Sequence, residues 1–134
     1  MRVTDDDGIR TVTFDRPKVL NAFSIETAEE LADVLAESDA SEHDAVVLTG
    51  EGEAFSAGGD VQSMAEREET PEEAFDRVTE TFGRVVEEAL DAPVPIVAKV
   101  NGDAVGAGLA VTAVSDFAYA VESATFGCAF VRVG

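Results

Sequence analysis

Histidine, cysteine and lysine are scarce in this chain of 134 residues, which has one His, one Cys and no Trp. With His43 and Cys128 alone, a zinc site or a catalytic pair of the Cys/His or Ser/His type has little support, and we expect no metal. A lone cysteine also excludes an intramolecular disulfide. The apolar neighbours of Cys128 favour a buried thiol, whereas the polar stretch around His43 places that side chain on the surface.

Basic residues are also few, since 28 acidic residues face 9 basic ones and the formal net charge is -19. Such a surface repels phosphates and anionic lipids, so neither nucleic acid nor a membrane is an expected partner. Disorder is not expected either, because 46% of the residues are hydrophobic. The acidic, lysine-poor composition suggests adaptation to high salt. The sequence has no long apolar run and an acidic N-terminus, and we expect a cytoplasmic protein.

Hydrophobic periodicity predicts alternating strands and helices. Gly8–Phe14 has the alternation of a strand, and Ser24 is a suitable N-cap for a helix over Ile25–Glu37. A capping box at Thr70 predicts a helix that continues to about Leu90. That helix is predicted to bury Phe75, Val78, Phe82, Val85, Val86 and Leu90. Further strands are predicted over Ala45–Thr49, Ile96–Val100 and Asp116–Val121, with an apolar helix over Leu109–Ser115.

Two predicted strands end in glycine-rich stretches, Gly50–Gln62 and Asn101–Gly108. Each stretch leads towards a helix start, where bare backbone N–H groups can meet an oxygen that acquires negative charge. Both stretches can also be read as ordinary strand-to-helix loops. A dinucleotide site is a weaker reading, because neither stretch has the GxGxxG spacing, and a Walker loop with its lysine is absent.

Three ordered segments carry a family resemblance: residues 16–23 (RPKVLNAF), 54–61 (AFSAGGDV) and 100–108 (VNGDAVGAG). They resemble the signature blocks of the crotonase (enoyl-CoA hydratase/isomerase) superfamily. The resemblance implies an α/β fold of the ClpP/crotonase type, a spiral of ββα units. It also implies one domain over residues 1–134 that lacks the family's C-terminal helical half, as either a fragment or a naturally short member.

The resemblance further implies an acyl-coenzyme A substrate and no bound cofactor. In the family pattern, the backbone N–H groups of Gly59 and Ala107 polarise the thioester carbonyl. The implied coenzyme A-binding residues are Lys18, Val19, Ala57, Gly59, Asp60, Val61, Gln62, Val105, Gly106 and Ala107. Lys18 is either a partner of a coenzyme A phosphate or a solvated lysine in a turn. Family members form trimers or hexamers, so a homo-oligomer is expected.

The sequence departs from the hydratase pattern at both proton-transferring positions. Ala110 and Phe130 stand where the pattern has glutamates, and neither can transfer a proton. The resemblance is greater to members that isomerise enoyl-CoA double bonds, whose acid/base is often an aspartate just beyond the equivalent of Gly134. Asp103 is a candidate substitute base or a turn residue, whereas Asp60 is better explained as a structural carboxylate at a helix start.

We therefore expect an acyl-CoA-binding protein of the enoyl-CoA hydratase/isomerase type, closer to the isomerases than to the two-glutamate hydratases. Turnover by these residues is left open. The alternatives are an inactive acyl-CoA binder and a structural or assembly fragment that exposes an apolar face.

Overall fold

The computed structural model describes residues 1–61 and 68–129. In chain order the elements are β1 (Arg2–Asp6), β2 (Ile9–Phe14), α1 (Ile25–Ala36), β3 (Ala45–Gly50), β4 (Ala54–Ser56), α2 (Pro71–Val78), α3 (Arg84–Asp91), β5 (Ile96–Val100), β6 (Asp103–Val105), α4 (Ala107–Val114), β7 (Phe117–Ala120) and β8 (Phe126–Gly127). A short 3-10 turn covers Pro17–Val19, and a π-helical turn over Thr79–Gly83 joins α2 to α3.

The larger sheet has the strand order β1-β2-β3-β5-β7. β1 and β2 form an antiparallel hairpin, and β2, β3, β5 and β7 run parallel. The hairpin turns at Asp7 and Gly8, whose φ values of 46° and 78° suit a two-residue turn. β1 is not among the strands predicted from the sequence, because its five residues are all exposed and show no buried face.

A second sheet has the parallel order β4-β6-β8. From β3 onwards the chain places one strand in the larger sheet, the next strand in the smaller sheet, and then a helix, as in β5, β6 and α4. This repetition confirms the expected spiral of ββα units. The two glycine-rich stretches, read as loops from the sequence, each contain a strand of the smaller sheet, β4 or β6.

Helix α1 forms as predicted and packs on the larger sheet. The hydroxyl of Ser24 accepts a hydrogen bond from the Thr27 N–H at 3.2 Å. The four predicted apolar residues are all buried: Ala28, Leu31, Ala32 and Leu35. α1 has 12 residues, and no helix in the described parts of the chain is long and apolar enough to cross a membrane.

The helix from Pro71 begins with the predicted capping box at Thr70, but its buried face differs from the prediction. Phe75, Val78 and Leu90 are 70%, 43% and 71% exposed, so their predicted burial is wrong. The π-helical turn changes the helical spacing. As a result, Thr81, Val85 and Ala89, four residues apart, form the face that is buried.

The core lies between the larger sheet and the helices, and aromatic rings join it to the first glycine-rich stretch. The Phe14 ring packs edge-on against Phe23 and Phe55, with centroid distances of 5.0 Å and 5.3 Å. All three rings are buried. Phe55 lies in β4, so the packing of its ring in the core fixes the position of β4 and of the residues that follow it.

The two scarce residues lie opposite to their predicted environments. His43 is only 5% exposed, because its turn folds back: its N–H donates to the Asp39 carbonyl at 2.7 Å and its Nδ1 accepts from the Asp39 N–H at 3.2 Å. Cys128 is exposed, because it directly follows the two-residue strand β8 at the edge of the smaller sheet. Its apolar neighbours in sequence therefore do not enclose it.

Candidate functional site

The two glycine-rich strand exits meet because β4 and β6 are parallel neighbours in the smaller sheet. The first exit runs through Gly58 and Gly59, and the second passes from Gly106 into α4. Gly58 and Gly106 have φ values of 99° and 53°. Residues that carry a side chain rarely adopt such positive φ values. Glycine at these positions brings the two loops into backbone contact.

The first candidate donor is the N–H of Gly59. Phe23 and Gly59 form a parallel bridge, in which the Phe23 N–H donates to the Gly58 carbonyl at 2.7 Å and the Asp60 N–H donates to the Phe23 carbonyl at 2.9 Å. In an extended chain successive N–H groups point in opposite directions, so the Gly59 N–H points away from Phe23. Within the described residues the Gly59 N–H donates to no group.

The second candidate donor is the N–H of Ala107, the first residue of α4. The first N–H groups of a helix have no partner inside that helix, and the helix start carries a partial positive charge. Gly106 caps α4, and its carbonyl accepts from the Ala110 N–H at 2.9 Å. Gly108 lets α4 approach β4, because a Cβ there would lie 2.7 Å from the Ser56 Cβ. In the described chain the Ala107 N–H donates to no group.

Both donors line one apolar cavity of about 410 Å³. The described residues that line it are all uncharged: Ala57, Gly58, Gly59, Val61, Val78, Phe82, Gly106, Ala107, Ala110 and Ala129. Apolar walls such as these lower the local dielectric and strengthen a hydrogen bond made beside them. Two unpartnered N–H groups beside such a cavity can stabilise one oxygen that carries negative charge.

The side chain of Asn21 fixes the position of the first exit through buried hydrogen bonds. It is 1% exposed, with a positive φ of 55°. Its Nδ2 donates to the carbonyls of Glu51 at 2.9 Å and Ala54 at 2.8 Å, and its Oδ1 accepts from the Arg16 N–H at 2.9 Å. The Ser56 hydroxyl in turn donates to the Asn21 carbonyl at 2.8 Å. The residues of the first sequence block thus support the loop that contains Gly59.

The structure brings together most of the predicted site residues, although not all. Ala57, Gly59, Val61, Gly106 and Ala107 line the cavity of the two donors. Lys18 and Val19 are exposed in the 3-10 turn, outside that lining. Asp60 follows the donor Gly59 and pairs with Arg16. The predictions for Gln62 and Phe130 lie outside the described residues.

Asp103 lies away from the cavity of the two donors. Its Oδ1 accepts from the Thr125 N–H at 2.9 Å. It lines a different cavity, also of about 410 Å³, together with Val105, Glu53 and Ser123. Asp103 therefore tethers the chain before β8, as a turn residue would, and the geometry does not bring it to the two N–H donors.

Several site residues escape prediction from the sequence. Val78 and Phe82 line the cavity, but the helical pattern assigns both to the core. Phe82 packs against Phe23 with a centroid distance of 6.1 Å, and it lies in the π-helical turn that the pattern does not predict. In residues 1–61 and 68–129, no group of three or more His, Cys, Asp or Glu side chains could hold a metal ion.

Comparison with known proteins places this chain in a family. A family model described as enoyl-CoA hydratase/isomerase matches residues 4–134. The chain is 34% identical over 134 residues to rat enoyl-CoA delta isomerase 2 and 33% identical over 129 residues to human mitochondrial enoyl-CoA hydratase domain-containing protein 3. These matches cover 98% and 96% of the chain but only 34% and 42% of the two relatives. The chain thus spans less than half the length of either relative.

Solved structures show the same relation. An enoyl-CoA hydratase from Polaromonas sp. JS666 superposes with a TM-score of 0.90 at 31% identity, and Pseudomonas aeruginosa AtuE with a TM-score of 0.91 at 36% identity. Both cover 99% of this chain, which matches 52% of each of them. The chain belongs to the enoyl-CoA hydratase/isomerase family and corresponds to the N-terminal portion of its members.

Proposed function

We propose that this chain binds an acyl-coenzyme A thioester and polarises its carbonyl with the backbone N–H groups of Gly59 and Ala107. The observation that carries the proposal is a pair of N–H donors that have no partner among the described residues and that belong to residues lining one apolar cavity. A thioester carbonyl gains negative charge when a proton leaves the adjacent carbon. Donors aimed at that oxygen then stabilise the enolate more strongly than the substrate.

The apolar part of the cavity suits the acyl chain. Val61 and Val78 line it, and the Phe82 ring forms a further part of the wall. An acyl chain in this position is removed from water, which favours binding through apolar surface burial. The exposure of Val78 in the isolated chain is consistent with a side chain that a bound acyl group covers.

The coenzyme A portion would lie along the first sequence block and the first exit. In this proposal Lys18, Val19, Ala57, Asp60, Val61 and Gln62 contact it, and Val105 and Gly106 contact it from the second exit. Lys18 is an exposed cation on a strongly acidic chain. Its ammonium group is therefore suited to a coenzyme A phosphate.

The side chains at the cavity favour double-bond isomerisation over two-glutamate hydration. Ala110 lines the cavity at the first hydratase glutamate position and cannot transfer a proton. Asp103 lines the other cavity and not the one lined by Gly59 and Ala107. The donors would thus hold the enolate, while the group that moves the proton is not among the described residues that line the cavity.

A proline at position 107 provides the most direct test. Ala107→Pro deletes the N–H at the first helical position, where proline is tolerated because no helical bond is lost. Deleting one such donor is expected to lower transition-state stabilisation by about 2.7–4 kcal/mol. Ala107→Gly is the matched control, since it keeps the N–H and removes only the methyl group.

The measurements are binding of crotonyl-CoA by calorimetry and turnover of 3-enoyl-CoA at high salt. We expect the unaltered chain and Ala107→Gly to bind crotonyl-CoA, and we expect any turnover to be lost in Ala107→Pro. Binding and turnover that are equal in both variants would contradict the role of the Ala107 N–H. Absence of acyl-CoA binding by the unaltered chain would contradict the function as a whole.

A further inference from the structure

We propose that Arg16 is a positioning residue for the Gly59 donor, which it holds in place through the carboxylate of Asp60. The inference rests on the function proposed above. It concerns how a loop with two adjacent glycines, Gly58 and Gly59, keeps one N–H fixed beside the cavity. Glycine has more accessible backbone conformations than other residues, so such a loop needs support from outside itself.

Arg16 is itself fixed at both ends. Its backbone N–H donates to Asn21 Oδ1 at 2.9 Å. In its guanidinium group, Nη1 donates to the Ala22 carbonyl at 2.6 Å and Nη2 donates to Asp60 Oδ2 at 3.0 Å. The planar guanidinium therefore joins the backbone of the first block to the carboxylate at the end of the donor loop.

The Arg16–Asp60 pair closes a ring of contacts around Gly59. Gly58 precedes Gly59, and its carbonyl accepts a hydrogen bond from the Phe23 N–H. Asp60 follows Gly59, and its N–H donates to the Phe23 carbonyl. The side chain of Asp60 adds the link to Arg16. Both neighbours of Gly59 are thus held on one side of the loop, which leaves the Gly59 N–H for a ligand on the other side.

A purely stabilising ion pair is the alternative explanation. Partly exposed pairs contribute little to stability, and losing one should change the melting temperature without changing the geometry of a bound ligand. A positioning residue predicts a different result, because a displaced donor polarises the bound carbonyl less even when every site is occupied. The polarisation of a bound thioester at saturation separates the two explanations.

The experiment uses 4-dimethylaminocinnamoyl-CoA, whose conjugated thioester absorbs at longer wavelength when its carbonyl is polarised. The complete 134-residue chain is titrated to saturation, and both the affinity and the absorption maximum are measured. Arg16→Met removes the guanidinium, Arg16→Lys retains the charge but cannot form both bonds, and Asp60→Asn is a nearly isosteric second variant that tests the pair if Arg16→Met does not fold.

Arg10→Met is the matched control. Arg10 has the same kinds of partner as Arg16: it donates to the Asp5 carboxylate at 2.9 Å and 3.1 Å and to the Val34 carbonyl at 3.5 Å. It lies in β2, at the side of the sheet that meets α1, and does not line the cavity. Arg10→Met and Arg16→Met should therefore both lower stability, but only Arg16→Met should reduce the polarisation of the bound carbonyl.

We expect a red shift of the bound probe in the unaltered chain and in Arg10→Met, a much smaller shift in Arg16→Met and Asp60→Asn, and an intermediate shift in Arg16→Lys. If the chain turns over 3-enoyl-CoA, Arg16→Met should reduce kcat by about 10- to 100-fold. Full red shifts at saturation in all folded Arg16 and Asp60 variants would overturn the positioning role and leave the proposed function intact. A probe that binds the unaltered chain without any red shift would overturn both.

Discussion

Gly58 and Gly106 touch through their backbones, at the point where the two strand exits meet. A Cβ on Gly58 would lie 2.9 Å from the Val105 carbonyl oxygen, and a Cβ on Gly106 would lie 3.5 Å from the Gly58 Cα. The first distance is a clash with backbone that cannot move away easily, whereas the second is an ordinary contact. The two glycines are therefore required for different reasons, Gly58 for space and φ and Gly106 for φ alone.

Alanine substitutions should lower the free energy of unfolding more at Gly58 than at Gly106. Gly58→Ala adds a clash to a backbone strain of about 1–3 kcal/mol, and Gly106→Ala adds the strain alone. Gly83 is the control, because its φ of -59° and ψ of -45° are helical. Gly83→Ala should be neutral or stabilise the fold by about 0.4–1 kcal/mol. Urea unfolding of the three variants tests the order, and equal losses at all three positions would contradict it.

The buried amide of Asn21 predicts a large loss of stability on substitution. Asn21→Ala leaves the Ala54 carbonyl, the Glu51 carbonyl and the Arg16 N–H without this partner, and we expect a loss of about 2–4 kcal/mol. Asn21→Asp keeps the acceptor for Arg16 but places a carboxylate beside two carbonyl oxygens, so it should be no better tolerated.

Asn101 allows a comparison with a less buried amide. Its Oδ1 accepts from the Gly50 N–H at 2.9 Å and its Nδ2 donates to the Gly52 carbonyl at 3.0 Å. Because water can reach this partly exposed site, Asn101→Ala should cost less than Asn21→Ala in the same unfolding experiment. A larger loss at Asn101 would show that burial is not the deciding factor.

Phe82 should limit the length of the acyl chain that the cavity accepts. Phe82→Ala removes a ring from the cavity wall, and the preferred acyl-CoA should become longer. Affinities for a series of straight-chain acyl-CoA thioesters measure the preference. Phe75→Ala is the control, since Phe75 is exposed on α2 and is not part of the lining. An unchanged preference in Phe82→Ala, or the same shift in Phe75→Ala, would contradict this role.

The capping box at Thr70 should make stability depend on pH in the acid range. Hydrogen bonds from the Thr70 backbone N–H and hydroxyl lower the pKa of Glu73 below its ordinary value of 4.5. A lowered pKa means that the unfolded chain binds the proton more readily. The contribution of Glu73 is therefore complete above pH 4.5 and is lost as the pH falls through the folded-state pKa.

Glu73→Gln should accordingly be less stable than the unaltered chain at neutral pH, and the difference should shrink as the pH falls below 4.5. Urea unfolding followed by circular dichroism at a series of pH values measures the difference. Glu72→Gln, which removes a neighbouring charge outside the capping box, should give no such convergence. A difference for Glu73→Gln that is constant with pH would contradict the prediction.

The net charge of -19 predicts that salt stabilises the fold. Counterions shorten the Debye length from about 30 Å at 0.01 M to about 3 Å at 1 M, which weakens repulsion between the acidic side chains. Melting temperatures should therefore rise from low to molar KCl. Sucrose at matched osmolality is the control, because it stabilises through exclusion and does not screen charge. A melting temperature that does not change with KCl would contradict the proposed adaptation to high salt.

Local rules predict the elements that depend on local contacts. α1 and the capping box at Thr70 have the residues that the sequence pattern predicts, because a cap and a helical face involve only near neighbours. β4 and β6 have three residues each, too few for an alternating pattern, and their pairing joins residues about 50 positions apart. The glycine-rich stretches therefore predict the positions of both strand exits, but the sequence does not predict β4 and β6, the short strands that lead into them.

Environment is harder to predict than secondary structure. Phe75 and Leu90 have the spacing of core residues, yet the π-helical turn between them changes which face meets α1. The polarity of their sequence neighbours predicts an exposed His43 and a buried Cys128, whereas a tight turn buries the first and a sheet edge exposes the second. For the candidate site, the family resemblance identified Gly59 and Ala107, but the supporting roles of Arg16 and Asn21 required the three-dimensional contacts.

The ββα repeat gives each residue after a short strand an equivalent in the neighbouring turn. Gly59 follows β4, Ala107 follows β6 and Ala129 follows β8, and all three line the same cavity. The cavity is thus assembled by translation along the spiral, one wall segment per turn. Position within the repeat can therefore be used as a coordinate for engineering: Ala129, two residues after β8, is the position in the third turn where a substitution changes the wall of this cavity.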